Sequence, residues 1–171
     1  MMTRTKEPTD VRDAAITHSD VEDAVAAVVD GELVLAVVPR MYASAVDIRD
    51  YVWRAVGEDN APALVALVPV LPADVDALRE AIPTLEPTQV SRYVEARDEL
   101  ERQLRDIVAE AVQAPRVGAL DDFIDLGGDS LSAVTLSTLV HERLGADLLL
   151  ENVFEASTVR GIAEAVRRQA G

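Results

Sequence analysis

A chain of 171 residues with 49% hydrophobic content is long enough for one ordinary domain or two small ones with buried cores. Its formal charge of -15 and pI near 4.4 repel phosphate backbones and anionic lipid, so nucleic acid and membrane surfaces are poor partners. Basic or apolar protein surfaces fit better. The absence of cysteine removes disulfides, thiolate catalysis and thiolate metal sites, and it fits a reducing compartment. His18 and His141 lie far apart with no ligand spacing, so no metal site is expected. The N-terminus MMTRTKEPTD lacks an apolar segment and no stretch reaches the length of a spanning helix, which makes cytoplasmic residence the expectation.

In chain order, residues 11 to 18 are a short helical candidate, and the apolar run from Asp20 to Val29 reads as a strand. Asp30-Gly31 separates it from GELVLAVVP, and an Asp-Gly pair between two β-prone runs predicts a hairpin over roughly residues 23 to 38. Pro39 stops the hairpin. Val46, Tyr51, Val52 and Val56 predict a helix, with Ser44 as N-cap and Gly57 near its end. Residues 63 to 70, bounded by Pro62 and Pro72, form a third strand, and a short helix over about 74 to 82 follows. The two prolines of PTLEPT mark a linker, placed at residues 83–92.

Beyond the linker the pattern is wholly helical. Leu100, Leu104, Ile107, Val108 and Ala111 recur at helical spacing, with charged residues on the other faces. After a loop with Pro115 and Gly118, a second helix begins at Ser130 and runs to about Leu144, drawing its buried side from Ala133, Leu136, Val140 and Leu144, with Gly145 as its stop. LLLENVFEA predicts a short helical turn that plugs the core with Phe154. A final helix buries Val159, Ile162, Ala163 and Val166, capped by Ser157 or Thr158. Phe123 is also assigned to the core, and His141 to a favourable position near a helix C-terminus.

The segment DDFIDLGGDSLSAV carries the most specific signal. Gly127 and Gly128 allow a sharp turn, after which Asp129-Ser130 sets a hydroxyl at the start of a helix. Backbone N–H groups and the helix dipole there favour an attached anion. Phe123, Leu126, Gly127, Gly128, Asp129, Ser130 and Leu131 resemble the LGGDSL core motif of peptidyl carrier proteins, the thiolation domains of nonribosomal peptide synthetases. The resemblance spans residues 93–169, from YVEARDELERQLRDIVAEAV to VFEASTVRGIAEAV. It implies that a phosphopantetheinyl transferase moves 4'-phosphopantetheine from coenzyme A onto Ser130, with Gly128 and Asp129 framing the attachment point. The exposed start of the second helix presents Leu131, Val134, Thr135 and Thr138 and no acidic residue before Glu142. That composition points to the peptidyl class and to Leu131, Val134 and Thr135 as partner contacts, with Leu131 left open between partner contact and core packing.

Residues 7–82 resemble a shortened C-terminal subdomain of an adenylation domain, from EPTDVRDAAITHSDVEDAVAAVV through GELVLAVVP to APALVALVPVLP. The family's glycine-rich hinge and its Asn-Gly-Lys loop are missing, and Lys6 is the only lysine. The ATP-binding core is missing too. RYVEARDELERQ, from Arg92, resembles the stretch that joins adenylation and carrier domains, and Leu85-Glu86-Pro87 resembles its Leu-Pro contact. The expected architecture is therefore an α+β subdomain, ββαβ-like, followed by an all-α four-helix carrier bundle.

The implied protein is a non-enzymatic carrier that holds an aminoacyl or acyl group as a thioester. A separate adenylation enzyme loads it, and condensation, tailoring or thioesterase enzymes use it. Two alternatives stay open: a carrier for polyketide-type acyl groups, and an unmodified docking or regulatory module. Met1 ahead of a shortened subdomain favours a complete small protein as the expectation.

Overall fold

The computed structural model describes residues 8–170. Lys6 and Glu7, used in the sequence reading, lie outside them. The chain divides into two compact units between Arg92 and Tyr93.

In the first unit, α1 (Pro8–Ile16) leads into β1 (Val21–Val29) and β2 (Glu32–Pro39), an antiparallel hairpin closed at Val29↔Glu32. Asp30 and Gly31 have φ of 49° and 85°, the positive values that a tight hairpin turn requires of both central residues. α2 (Ala45–Val56) starts at Ser44, whose side chain accepts from the Asp47 N–H, and it ends at Gly57. It crosses over to β3 (Leu64–Leu67), which lies parallel to β2. α3 (Val75–Ala81) follows.

β2 explains its own continuous apolar run, because it is buried on both faces. Leu33, Leu35 and Val37 pack with Val11, Ala15, Ile48 and Val52 of α1 and α2, while Val34 and Ala36 pack with Leu64 and Leu78 on the opposite face. Each of the larger side chains contributes about 1.5–3 kcal/mol by burial.

The expected linker is corrected. Residues 83–92 carry short 3-10 turns and then β4 (Val90–Arg92), which pairs antiparallel with β3 and completes the order β1-β2-β3-β4. Leu85 and Val90 pack on the α3-side core. Ser91 Oγ accepts from the fully buried Arg49 guanidinium at 3.0 Å, which ties β4 to α2.

The second unit is helical, with α4 (Glu99–Val112), α5 (Ser130–Leu144), α6 (Leu150–Ala156) and α7 (Val159–Ala170) among the described residues. Leu104, Ile107, Phe123, Leu136, Val153 and Ile162 lie in its core. Two expectations fail. Phe154 is 40% exposed and Val153 is the side chain of α6 that enters the core. Glu101, expected on the charged side of α4, is fully buried.

The buried carboxylate is balanced from three sides. Arg97 N–H donates to it at 3.0 Å, Arg97 Nε lies 2.8 Å away, and Arg160 Nε of α7 donates at 3.0 Å. Burial pushes the Glu101 carboxyl up. The Arg160 hydrogen bond, the Arg97 N–H and the two guanidinium charges outweigh it and hold the group below its usual range. One residue further along α7, α6 and α7 approach closely at Gly161, where an added Cβ would sit 2.6 Å from Ala156 O.

Candidate attachment site at the start of α5

The loop between α4 and α5 is pinned at several points before it reaches Ser130. α4 ends at Gln113, which takes a left-handed conformation. Arg116 then stacks over the Tyr93 ring at 3.5 Å, and Ala119 N–H donates to Val94 O at 2.7 Å. Asp121 Oδ2 accepts from Gly118 N–H at 2.7 Å, and Ala119 O accepts from Arg160 N–H at 3.0 Å. Phe123 N–H donates to Ser157 O at 2.6 Å, beside a bridge pairing Asp122 with Thr158. Asp122 Oδ1 then accepts from Ile124 and Asp125 N–H and turns the chain. The rigidity of the site thus comes from α7 and the segment before α4 as much as from α5.

The two glycines serve different needs. Gly127 has φ 91° with open space around it, so its requirement is conformational. Gly128 is steric: an added Cβ would lie 2.4 and 2.5 Å from Phe123 ring carbons and 2.5 Å from Phe123 O, while its N–H donates to that same oxygen at 2.8 Å. Asp129 caps α5, accepting from Ser132 N–H at 2.9 Å, and Ser132 Oγ accepts from Asp129 N–H at 2.7 Å. The Ser132 N–H, followed by its hydroxyl, holds the Asp129 carboxyl below its usual range. Asp125 goes the other way, raised by burial and by the charges of Asp122 and Asp121.

Ser130 is the first residue of α5 and is exposed, and no side-chain partner holds its hydroxyl among the described residues. No acidic residue follows in the first turn. An uncovered hydroxyl on a capped helix start, over a glycine packed against a buried ring, fits a phosphodiester-linked arm. Of the expected neighbours, Leu131 is 76% exposed, which places it on the surface; Val134 and Thr135 are exposed beside it. Thr135 and Thr138 hydroxyls donate to Leu131 O and Val134 O, so this face shows mainly hydrocarbon.

Sequence reasoning missed Ile124 and Phe154 as exposed apolar groups near the site. Phe154 meets Phe123 edge to face at 6.2 Å, so it stands one ring away from the residue beneath Gly128. A surface aromatic in a polar-flanked short helix was the available signal. The histidines were likewise read as isolated. His18 in fact accepts from Asp20 N–H through Nδ1, which leaves its proton on Nε2 to donate to Asp47 at 3.1 Å. Ligand atoms of His18, Asp20 and Asp47 lie within 4.8 Å of one another. His141 pairs with Asp147 at 2.9 Å near the end of α5.

Residues 102–166 match the family described as "Phosphopantetheine attachment site". Over 162 residues the chain is 33% identical to surfactin synthase subunit 1 of Bacillus subtilis, covering 88% of this chain and 4% of that protein. It is 32% identical over 163 residues to a dimodular nonribosomal peptide synthase of the same organism, covering 91% and 7% respectively. Among solved structures it is similar to BlmI, a type-II acyl carrier protein from Streptomyces verticillus involved in bleomycin biosynthesis. That match has 33% identity and a TM-score of 0.41, and covers 42% of this chain and 87% of that one. The chain belongs to the carriers with a phosphopantetheine attachment site, and most of its length is similar to stretches of nonribosomal peptide synthetases. Its cofactor is 4'-phosphopantetheine, carried covalently on a serine. The chain spans less than a tenth of the length of these curated relatives. Among the described residues no helix is long and apolar enough to cross a membrane.

Proposed function

We propose that Ser130 is the serine that carries the arm, and that the protein is a peptidyl-class carrier loaded in trans by a separate adenylating enzyme. The observation that carries this reading is the exposed hydroxyl, without a side-chain partner among the described residues, at the first position of a helix capped by Asp129 and preceded by Gly127 and Gly128. The arm, once attached, supplies a terminal thiol that holds an aminoacyl or acyl group as a thioester. Gly128 and Asp129 shape the approach to the hydroxyl, and Asp129 keeps the first turn wound through Ser132.

Leu131, Val134 and Thr135 are the contacts we assign to the phosphopantetheinyl transferase and to condensation, tailoring or thioesterase enzymes. Their exposure beside Ser130 and the lack of acid in that turn favour apolar recognition over charge recognition. We divide the chain at Arg92/Tyr93 into an adenylation-like region and a carrier domain. The former is read as a non-catalytic accessory, since Lys6 is the chain's only lysine and the family's Asn-Gly-Lys loop is missing.

Intact mass spectrometry after incubation with coenzyme A and a broad-specificity phosphopantetheinyl transferase tests the site. The wild type should gain one arm and Ser130→Ala none. A gain in Ser130→Ala, or none in the wild type, removes the assignment. ATP-pyrophosphate exchange by the purified chain would overturn the reading that loading occurs in trans.

A further inference from the structure

The parallel strands β2 and β3 end side by side, with Val37 opposite Leu67. Just past these ends lies an open groove of about 530 Å³, floored by Val38, Leu67, Val68 and Pro69.

Two features beside the groove stand out from the rest of the surface. Tyr42 holds φ at 67° while remaining 95% exposed, and the adjacent Met41 is 80% exposed. A bulky side chain in the left-handed region costs on the order of 1–2 kcal/mol. Tyr42 borders the groove without filling it. The groove is also flanked by one charge of each sign, Glu22 and Arg40, both exposed. Neither forms an ion pair with another described residue, although most arginines of this acidic chain do.

We propose that this face is a weak homodimer interface, in which Tyr42 of each copy seats in the groove of the other and Arg40 of each meets Glu22 of the other. A two-fold axis maps a surface onto itself, so a knob beside a socket and a cation beside an anion are together self-complementary. Tyrosine and arginine are the residue types that most often anchor such contacts. Two seated tyrosines bury about 150–250 Å² each. That is well short of the roughly 1,200 Å² of a standard stable interface, so association is reversible and weak. The charge of -15 on each copy opposes approach, but salt at 0.15 M screens it beyond about 8 Å. The surface lies wholly in the first unit and stands whether or not Ser130 carries the arm.

Sedimentation equilibrium of the full chain at 0.15 M salt, from about 5 μM to about 1 mM by the affinity arithmetic of weak complexes, reads the association. The weight-average mass should rise from 18.4 kDa toward twice that value. Tyr42→Ser should abolish the rise, and Arg40→Glu or Glu22→Arg alone should weaken it at least tenfold. An equimolar mixture of the Arg40→Glu and Glu22→Arg chains should recover it, because the mixed pair restores both contacts. Far-UV circular dichroism confirms that each variant is folded. A chain that stays monomeric at the highest concentration, a dimer indifferent to Tyr42→Ser, or charge variants that fail to complement each other overturns the proposal.

Discussion

Replacing Gly128 by alanine is the sharpest test of how the attachment loop is built. The new methyl would lie 2.4–2.5 Å from two Phe123 ring carbons and from Phe123 O, against an ordinary separation of about 3.5–4.0 Å. Something must therefore move by roughly 1 Å. Phe123 cannot recede freely: its ring is 1% exposed, its N–H is bonded to Ser157 O and its carbonyl to Gly128 N–H. Overpacking costs about 1–3 kcal/mol and one loosened hydrogen bond adds about 1, a total near 2–4 kcal/mol. Gly127→Ala meets nothing within 4 Å and pays only for positive φ, about 1–2 kcal/mol. Hydrogen exchange of the full chain followed by mass spectrometry resolves the two units peptide by peptide, which fluorescence does not, because Trp53, the only tryptophan, lies in the first. In the second unit, α5 amides should lose protection by roughly 30- to 1000-fold in Gly128→Ala, with β1 to β3 unchanged. The same variant should slow arm transfer to Ser130. A Gly128→Ala chain as stable as the wild type, or more stable than Gly127→Ala, refutes the steric account.

Other outcomes follow from named contacts. Glu101→Ala should destabilise the second unit by about 3 kcal/mol, the low end for breaking a buried pair because Arg97 and Arg160 both reach water; hydrogen exchange in α4 and α7 measures it. Glu101 is held below its unfolded value in the fold, so its stabilisation is present above pH of about 4.3 and lost as pH falls through the lower folded value. Protection of α4 and α7 should therefore fall on acidification, and less so in Glu101→Gln. Asp125 has the opposite sign: raised in the fold, it favours folding at low pH and loses that advantage as pH rises. Asp125→Asn should therefore stabilise the second unit at pH 7 and make no difference at pH 3, as read by thermal melting. Val153→Ala should cost about 2 kcal/mol by the area it removes from the core, whereas Phe154→Ser, which loses a partly buried ring and its edge contact with Phe123, should cost about 1 kcal/mol and slow modification at Ser130.

Much of the fold was legible where a local rule acts alone. The Asp30-Gly31 hairpin follows from two residues that tolerate positive φ, and the Ser44 cap and Gly57 stop follow from side-chain and backbone chemistry confined to one turn. α7 buries the expected Val159, Ile162, Ala163 and Val166 because its 12 residues, about three turns of an amphipathic helix, define a face unambiguously. α6 has only seven residues, too few to set the phase of its apolar stripe, and so Val153 and Phe154 exchanged places. β4, at three residues, is too short to display alternation at all.

By itself the sequence determined the order of the elements other than β4, the exposed helix start at Ser130 and the motif around it, since these depend on neighbours within a few positions. Only the tertiary structure decided that Glu101 is buried, because its stabilising partner Arg160 lies 59 residues away. The same holds for Leu131, whose choice between core and surface depends on which helices flank α5, and for Gly128, whose constraint is a ring five positions back held in place by Ser157. Local propensity specifies where a chain turns; burial and charge balance are set by groups that only folding brings together.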